Sequence, residues 1–275
     1  MSIGPLQRAA DRTATVADRL SATFGRQVSR VLREVERRVV DWMRDSEGRR
    51  VSPKLRREIR EVLQASGFDD LAVVATAAPF DEMEARVLAA RKAAQASIGE
   101  SQAARARLEA LRLWHLDNLL TEGSVITRSL GDAVIRGRGL TMKGAAHEID
   151  KILHHADARL QTLYDTAVSI YSRQVEGELA GDDPMTPFFY AHPVDFKTRP
   201  FCLQYAGKVL IRQEIDALDN GQLSNVFLTG GGFNCRGHWL QISSFSELTA
   251  LIGTDERAPE VSEEMAELFG ETRER

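Results

Sequence analysis

Only two cysteines, Cys202 and Cys235, occur in 275 residues. A small secreted scaffold stapled by several disulfides is therefore excluded, and a thiol pair in a reducing compartment is more naturally free or metal-bound than bridged. No apolar run approaches the ~18 residues that a membrane span needs, so no membrane partner is expected. Met1 to Ala10 lacks the apolar core of a secretory leader, and the expectation is a chain made and kept in a reducing cytoplasm. Neither sign of charge dominates: 36 Lys and Arg face 40 Asp and Glu, for a net charge of −4. Bulk charge thus does not mark a nucleic-acid binder, although a local basic face remains compatible with it. There is no G-x-x-x-x-G-K-[ST] phosphate loop, no G-x-S-x-G elbow and no H-E-x-x-H helix, so the familiar nucleotide, serine-hydrolase and zinc-protease chemistries have no anchor here.

Proline is absent between Pro79 and Pro184, and the chain up to about residue 180 is rich in Ala, Leu, Arg and Glu. That composition predicts long helices. Val16, Leu20, Phe24, Val28, Val31, Val35, Val39 and Trp42 recur at spacings of three and four, which is one apolar stripe on a helix that must pack against something. Ser52-Pro53 reads as the start of a second helix with Leu55, Ile59, Val62 and Leu63 inward and Gly67 as its stop. Residues 82–120 read as a further helical stretch that Gly99 can interrupt, followed by a section punctuated by Gly123, Gly131, Gly137 and Gly139. Thr141 is the expected cap of a helix over residues 142–179, whose inner face carries Ile149, Ile152, Leu153, Leu160, Leu163, Ala167 and Ile170.

Beyond residue 180 the texture changes. Pro184, Pro187, Pro193 and Pro200 crowd together, and short apolar pieces alternate with turns. Residues 188–190, 208–211, 225–228 and 239–242 are candidate strands, with Gly230-Gly231-Gly232 as a turn between the last two. The fold expected is a mainly α N-terminal region of long helices (1–180), then a small α+β module with short strands (187–243), then two short terminal helices and a tail (246–275).

The small module holds both cysteines together with His192 and His238. Cys235 and His238 are close enough in sequence to chelate one ion, Cys202 is a third candidate ligand, and His192 or Asp195 a fourth. A structural zinc ion takes four such ligands in a tetrahedron, and a module of about sixty residues with few large apolar side chains has reason to use one. The plainer alternative is two buried thiols and a surface histidine, because the spacing matches no familiar finger framework. A Cys202–Cys235 disulfide requires oxidising conditions. The other histidines read as helix surface. His154 and His155 are adjacent, hence about 100° apart around a helix, His147 shares a face with His154, and His115 follows Trp114. A nucleophile–base pair of a cysteine and His238 lacks a third, orienting group.

Asp195, the pair Arg199-Pro200, Cys202, the step Gly207-Lys208-Val209 and the closing element Asn234-Cys235-Arg236 occur in that order. This succession resembles the C-terminal module of the phage Mu F-like minor head proteins, the broader phage head-morphogenesis family. Tyr164-Asp165-Thr166-Ala167, running on to Tyr171, is similar to the helix that precedes the module in that family. The resemblance covers about residues 160–241. Two features depart from it: Gly237-His238 follows Arg236 where many relatives place a second cysteine, and three glycines replace a proline pair in the closing turn. The resemblance implies a structural, non-enzymatic protein of the virion head, assembled in the bacterial cytoplasm, with the portal or major capsid protein as partner and self-association or packaged DNA as further contacts. Arg199 and Arg236 read as internal braces to Asp195 or to backbone carbonyls, or else as groups facing DNA or the portal.

Two other functions compete. A DNA-binding packaging or ejection factor would use the basic stretch of Arg26, Arg30, Arg33, Arg37 and Arg38, then Arg49, Arg50, Lys54, Arg56, Arg57 and Arg60, although interleaved acids also suit a salt-bridged helical face. A metal-dependent hydrolase would need an open metal position and a carboxylate base, for which only Asp195 is placed.

Overall fold

The computed structural model describes residues 5–45, 54–90, 101–137 and 141–242. The expected terminal helices after residue 243, together with Ser52-Pro53, Gly99 and Gly139, lie outside the described residues. Six helices come first: α1 (Pro5–Asp45), α2 (Leu55–Ala65), α3 (Phe68–Thr76), α4 (Ala78–Ala90), α5 (Gln102–Gly137) and α6 (Met142–Ala180). The C-terminal part then runs β1 (Pro187–Ala191), α7 (Pro200–Tyr205), β2 (Val209–Ile211), α8 (Arg212–Asp216), α9 (Val226–Thr229) and β3 (His238–Gln241). Long helices followed by a small α+β part is thus the architecture found. No helix among the described residues is long and apolar enough to cross a membrane.

The chain divides into two compact units, each built from non-contiguous stretches: residues 19–80 with 110–165, and residues 1–18 with 81–109 and 166–275. In the first unit α1 buries Leu20, Phe24, Val28, Leu32, Val35 and Val39. The stripe is the predicted one at Leu20, Phe24, Val28, Val35 and Val39; Leu32 takes the buried place assigned to Val31, and Val16 and Trp42 are only partly buried. Phe24 stacks flat on Tyr164 of α6, ring centroids 4.0 Å apart, which adds aromatic contact to the area buried. Gly67 ends α2 in the left-handed region at φ +84° and donates its N–H to Gln64 O, as a C-terminal stop should. Thr141 caps α6 by accepting from Gly144 N at 3.2 Å.

Gly123 and Gly131 do not punctuate the chain; α5 runs straight through both. The reason at Gly123 is packing. A Cβ there would lie 2.5 Å from Phe68 Cε1 and 2.9 Å from Arg60 Nη1, so glycine is what admits the Phe68 ring against the helix. His115 is also corrected. It lies buried on α5 rather than on the helix surface, edge-on to Phe80 with centroids 5.7 Å apart, while its neighbour Trp114 stays exposed.

The second unit carries a three-stranded antiparallel sheet of order β2-β1-β3. β1 is central, pairing Phe189 with Val209 on one side and Tyr190 with Trp239 on the other. One face buries Phe188, Tyr190 and Trp239 together with Cys202, Ile215, Val226, Phe227 and Cys235. Residues 225–228, expected as a strand, form the short helix α9 instead. Asn225, at φ +59°, accepts from Leu228 N at 3.2 Å through its side chain, so a capping asparagine overrides the β propensity of Val226 and Phe227.

Candidate metal centre

Three turns bring the chemistry-bearing side chains of the second unit together. After β1, the Asp195 carboxylate accepts from Lys197 N at 2.9 Å while Asp195 N donates to Thr198 Oγ1 at 2.8 Å, a self-closed turn of the kind aspartate and threonine favour. Pro200 then starts α7 at its first helical position, which needs no N–H, and α7 carries Cys202 inward. The glycine turn 230–232 leads into Cys235, three residues before β3 resumes the sheet partnership.

The two Sγ atoms lie 3.8 Å apart, both buried, as free thiols. The Tyr190 hydroxyl stands between them, 3.1 Å from Cys235 Sγ and 3.5 Å from Cys202 Sγ. Half-buried His192 completes a set whose ligand atoms all lie within 4.8 Å of one another, so a His-Cys-Cys group stands at ligand distance and could hold a metal ion. His192 Nδ1 is 2.7 Å from Pro193 O. A hydrogen bond donated there puts the proton on Nδ1, which makes Nε2 the nitrogen able to coordinate an ion.

His238 stands outside this set. It faces Ala191 across the β1–β3 ladder, whereas its neighbour Trp239 faces Tyr190, and successive strand residues point to opposite faces. Burial, followed by the nearby Arg173 cation, pushes the His238 imidazole down to about 3. It is a buried neutral histidine of the sheet.

The glycine turn does more than reverse the chain. A Cβ on Gly231 would lie 2.3 Å from Cys202 Sγ, and one on Gly230 would lie 2.7 Å from Cys235 Sγ. A Cβ on Gly237 would meet the Tyr190 hydroxyl at 2.4 Å and His192 Cδ2 at 2.7 Å. Three glycines therefore wall the cluster with bare backbone, and any side chain there would displace a ligand atom.

Arg173 of α6 fixes that wall. It is fully buried, and donates Nε and Nη2 to Gly237 O (2.9 and 2.6 Å), Nη1 to Leu228 O (2.8 Å) and Nη2 to Cys235 O (2.8 Å). Among the described residues no carboxylate makes an ion pair with it, and its charge favours the ionised form of the Cys235 thiol beside it. The pair titrates unequally. Cys235 is held far below an ordinary thiol by the hydrogen bond from Cys202, with burial opposing and Arg173, His192 and Tyr190 assisting. Cys202, which supplies that proton, is held far above, first by the same bond and then by burial. Burial also raises the Tyr190 phenol, keeping it a neutral donor.

The remaining motif residues brace this cluster from outside. Arg236 makes a two-pronged ion pair with Asp195. Arg199 Nη1 donates to Gly231 O at 3.0 Å and to Gln222 Oε1 at 2.9 Å, holding the glycine turn. Gly207, at φ +82°, donates its N–H to Tyr190 O at 3.0 Å. Asn234, at φ +54°, donates its N–H to Thr166 Oγ1 on α6 at 3.1 Å.

Sequence reasoning missed Arg173 and the role of Tyr190. The signal for Arg173 was faint: α6 is buried nearly all round at residues 170–176, and an arginine in such a stretch must find acceptors. Chemically, the arrangement can hold a borderline-soft cation or form a disulfide on oxidation. Asp195 is not a free base, because both its oxygens are engaged by Arg236. No protein-family model, no curated protein and no solved structure matches this chain.

Proposed function

We propose that this chain is a minor head protein of a tailed phage or phage-like particle, a structural protein acting in head morphogenesis through contacts with the portal or the inner capsid. One observation carries this reading. The separate elements of the family-like succession, Asp195, Arg199, Cys202, Gly207, Asn234, Cys235 and Arg236, meet in one braced knot around the glycine turn. A catalytic cluster would leave reactive groups open. Here the motif charges are spent on one another and on backbone carbonyls, which suits a rigid docking foot. The virion head is its expected place and self-association a further contact.

The test is quantitative mass spectrometry of purified particles, ratioed to the major capsid protein. A low, fixed copy number is the expected result. Absence from mature particles and from their assembly intermediates overturns the proposal.

A packaging factor that touches DNA is the second reading. Its support is a surface hollow on α1 lined by Gly25, Arg26, Ser29, Arg30 and Arg33. Arg30 and Arg33 have no ion-pair partner among the described residues, which leaves them available to phosphate. Duplex DNA binding that weakens steeply with salt favours this reading, and no binding at low salt removes it.

A further inference from the structure

The geometry points to a zinc site made by His192, Cys202 and Cys235, with the fourth tetrahedral place left to a solvent oxygen beside the Tyr190 hydroxyl. The site goes beyond the head-protein reading and does not depend on it, so either can fail alone.

The sulfur spacing is the first argument. With Zn–S bonds of about 2.3 Å, two thiolates at a tetrahedral angle stand about 3.8 Å apart, and Cys202 Sγ and Cys235 Sγ are 3.8 Å apart. The second is the imidazole. Metal-bound histidines commonly donate their other ring N–H to a carbonyl, which sets the tautomer. His192 Nδ1 sits 2.7 Å from Pro193 O, leaving Nε2 as the ligand. All three ligand atoms lie within 4.8 Å of one another, so closing them onto an ion takes movement on the order of 1 Å.

The groups that hold the ligands in place are the third. The Tyr190 hydroxyl contacts both sulfurs and can donate to a thiolate. Arg173 and Arg199 grip carbonyls on either side of the glycine turn that abuts the sulfurs. Charge also favours the ion. Two thiolates and Zn²⁺ sum to zero, so the loaded cluster carries no net charge of its own in its buried surroundings. Both cysteines are buried and only His192 is partly open. The site therefore admits an ion and a water, not a substrate, and two thiolates with one imidazole select zinc over magnesium or calcium.

The test uses the full chain, purified reduced, stripped with a chelator and shown to stay folded by circular dichroism. Zinc is measured by elemental analysis after dialysis, and cobalt(II) is titrated as a spectroscopic stand-in. About one zinc per chain and a thiolate-to-cobalt charge-transfer band are expected. Cys202→Ser, Cys235→Ser and His192→Gln should each weaken binding by about 10-fold or more, whereas His154→Gln, on an exposed helix position, should change nothing. If a cysteine variant fails to fold, alkylation of the native wild type decides: bound zinc should slow modification of Cys202 and Cys235 together. A folded wild type that takes up no zinc or cobalt even in large excess overturns the site. So does metal binding that persists undiminished without the cysteines, or alkylation that zinc leaves unchanged.

Discussion

Arg236 holds Asp195 by two parallel hydrogen bonds, Nη1 to Oδ2 at 2.8 Å and Nη2 to Oδ1 at 2.7 Å, across 41 residues of chain. This fork-on-carboxylate geometry pins the turn after β1 to the segment entering β3, the two stretches that flank His192 and Cys235. Lysine at either end of such a pair would supply charge without the fork.

The pair predicts an acid-dependent loss of stability. The Arg236 hydrogen bonds hold the Asp195 carboxyl far below its ordinary value, with desolvation opposing and the Lys197 N–H and the Arg236 charge assisting. A carboxyl depressed in the folded state contributes stability above its unfolded value of about 4 and loses it as pH falls toward the folded value. Asp195→Asn should therefore lower the urea midpoint at neutral pH, with the gap to wild type narrowing below about pH 4. A gap that is constant from pH 7 to pH 2 would show that the ion pair contributes nothing beyond shape. Because both side chains are more than a third exposed, the effect should also shrink in high salt.

Removing Arg173 should be far more costly. Arg173→Met strips four hydrogen bonds and leaves the carbonyls of Gly237, Leu228 and Cys235 without that donor. Losses of this type reach about 3–5 kcal/mol, enough to unfold much of the unit at ambient temperature. Arg173→Lys should recover only part, because one ammonium cannot reach three carbonyls in fixed directions. Denaturant midpoints measure both; a loss below about 1 kcal/mol for Arg173→Met would deny it the bracing role.

Why some of this was legible in sequence and some was not follows from range. The stripe on α1 repeats every three or four residues, so local pattern sufficed to find it, and the Thr141 cap and Gly67 stop are equally local. The ends of β1, β2 and β3 follow from proline and glycine beside short apolar runs. Asn225 misled because a single side-chain cap turned a β-branched, aromatic run into α9. Gly123 misled because its reason, the Phe68 ring, is 55 residues away in sequence and invisible to any window. The thiols were marked by rarity, but His192 could be set above His238 only once the β1–β3 register was known. Arg173 acts entirely through long-range carbonyls, which no pattern within α6 encodes.

Two glycines of the second unit should respond to alanine for different reasons. Gly207 sits at φ +82° with nothing within 4 Å of a built Cβ, so Gly207→Ala meets only the left-handed penalty, about 1–2 kcal/mol. Gly231 has no positive φ among the described glycines, yet its Cβ would lie 2.3 Å from Cys202 Sγ. Gly231→Ala should cost about 1–3 kcal/mol by overpacking and should also change the alkylation rate of Cys202. Gly207→Ala should leave that rate unchanged. Equal thiol reactivity in both variants would mean that the turn does not press on the sulfur.

His115 supplies a pH effect of its own in the first unit. Burial pushes its imidazole down to about 4, and Nε2 has no hydrogen-bond partner among the described residues. An unfolded histidine takes up a proton near pH 6.5, while the folded one stays neutral until about pH 4. Between those values the unfolded state binds more protons, so stability falls as pH falls through that window. Replacing His115 with leucine removes both the titration and the orphaned nitrogen at little change in volume. The variant should match or exceed wild type at pH 7 and should gain on it by about 3 kcal/mol as pH approaches 4. His238, pushed down to about 3, adds a slope of the same sign in both proteins, so His115→Leu should flatten the acid limb without abolishing it. Parallel denaturation curves of the two proteins across pH 4–7 would mean that His115 protonates in place, through an opening of α5 that lets water reach Nε2.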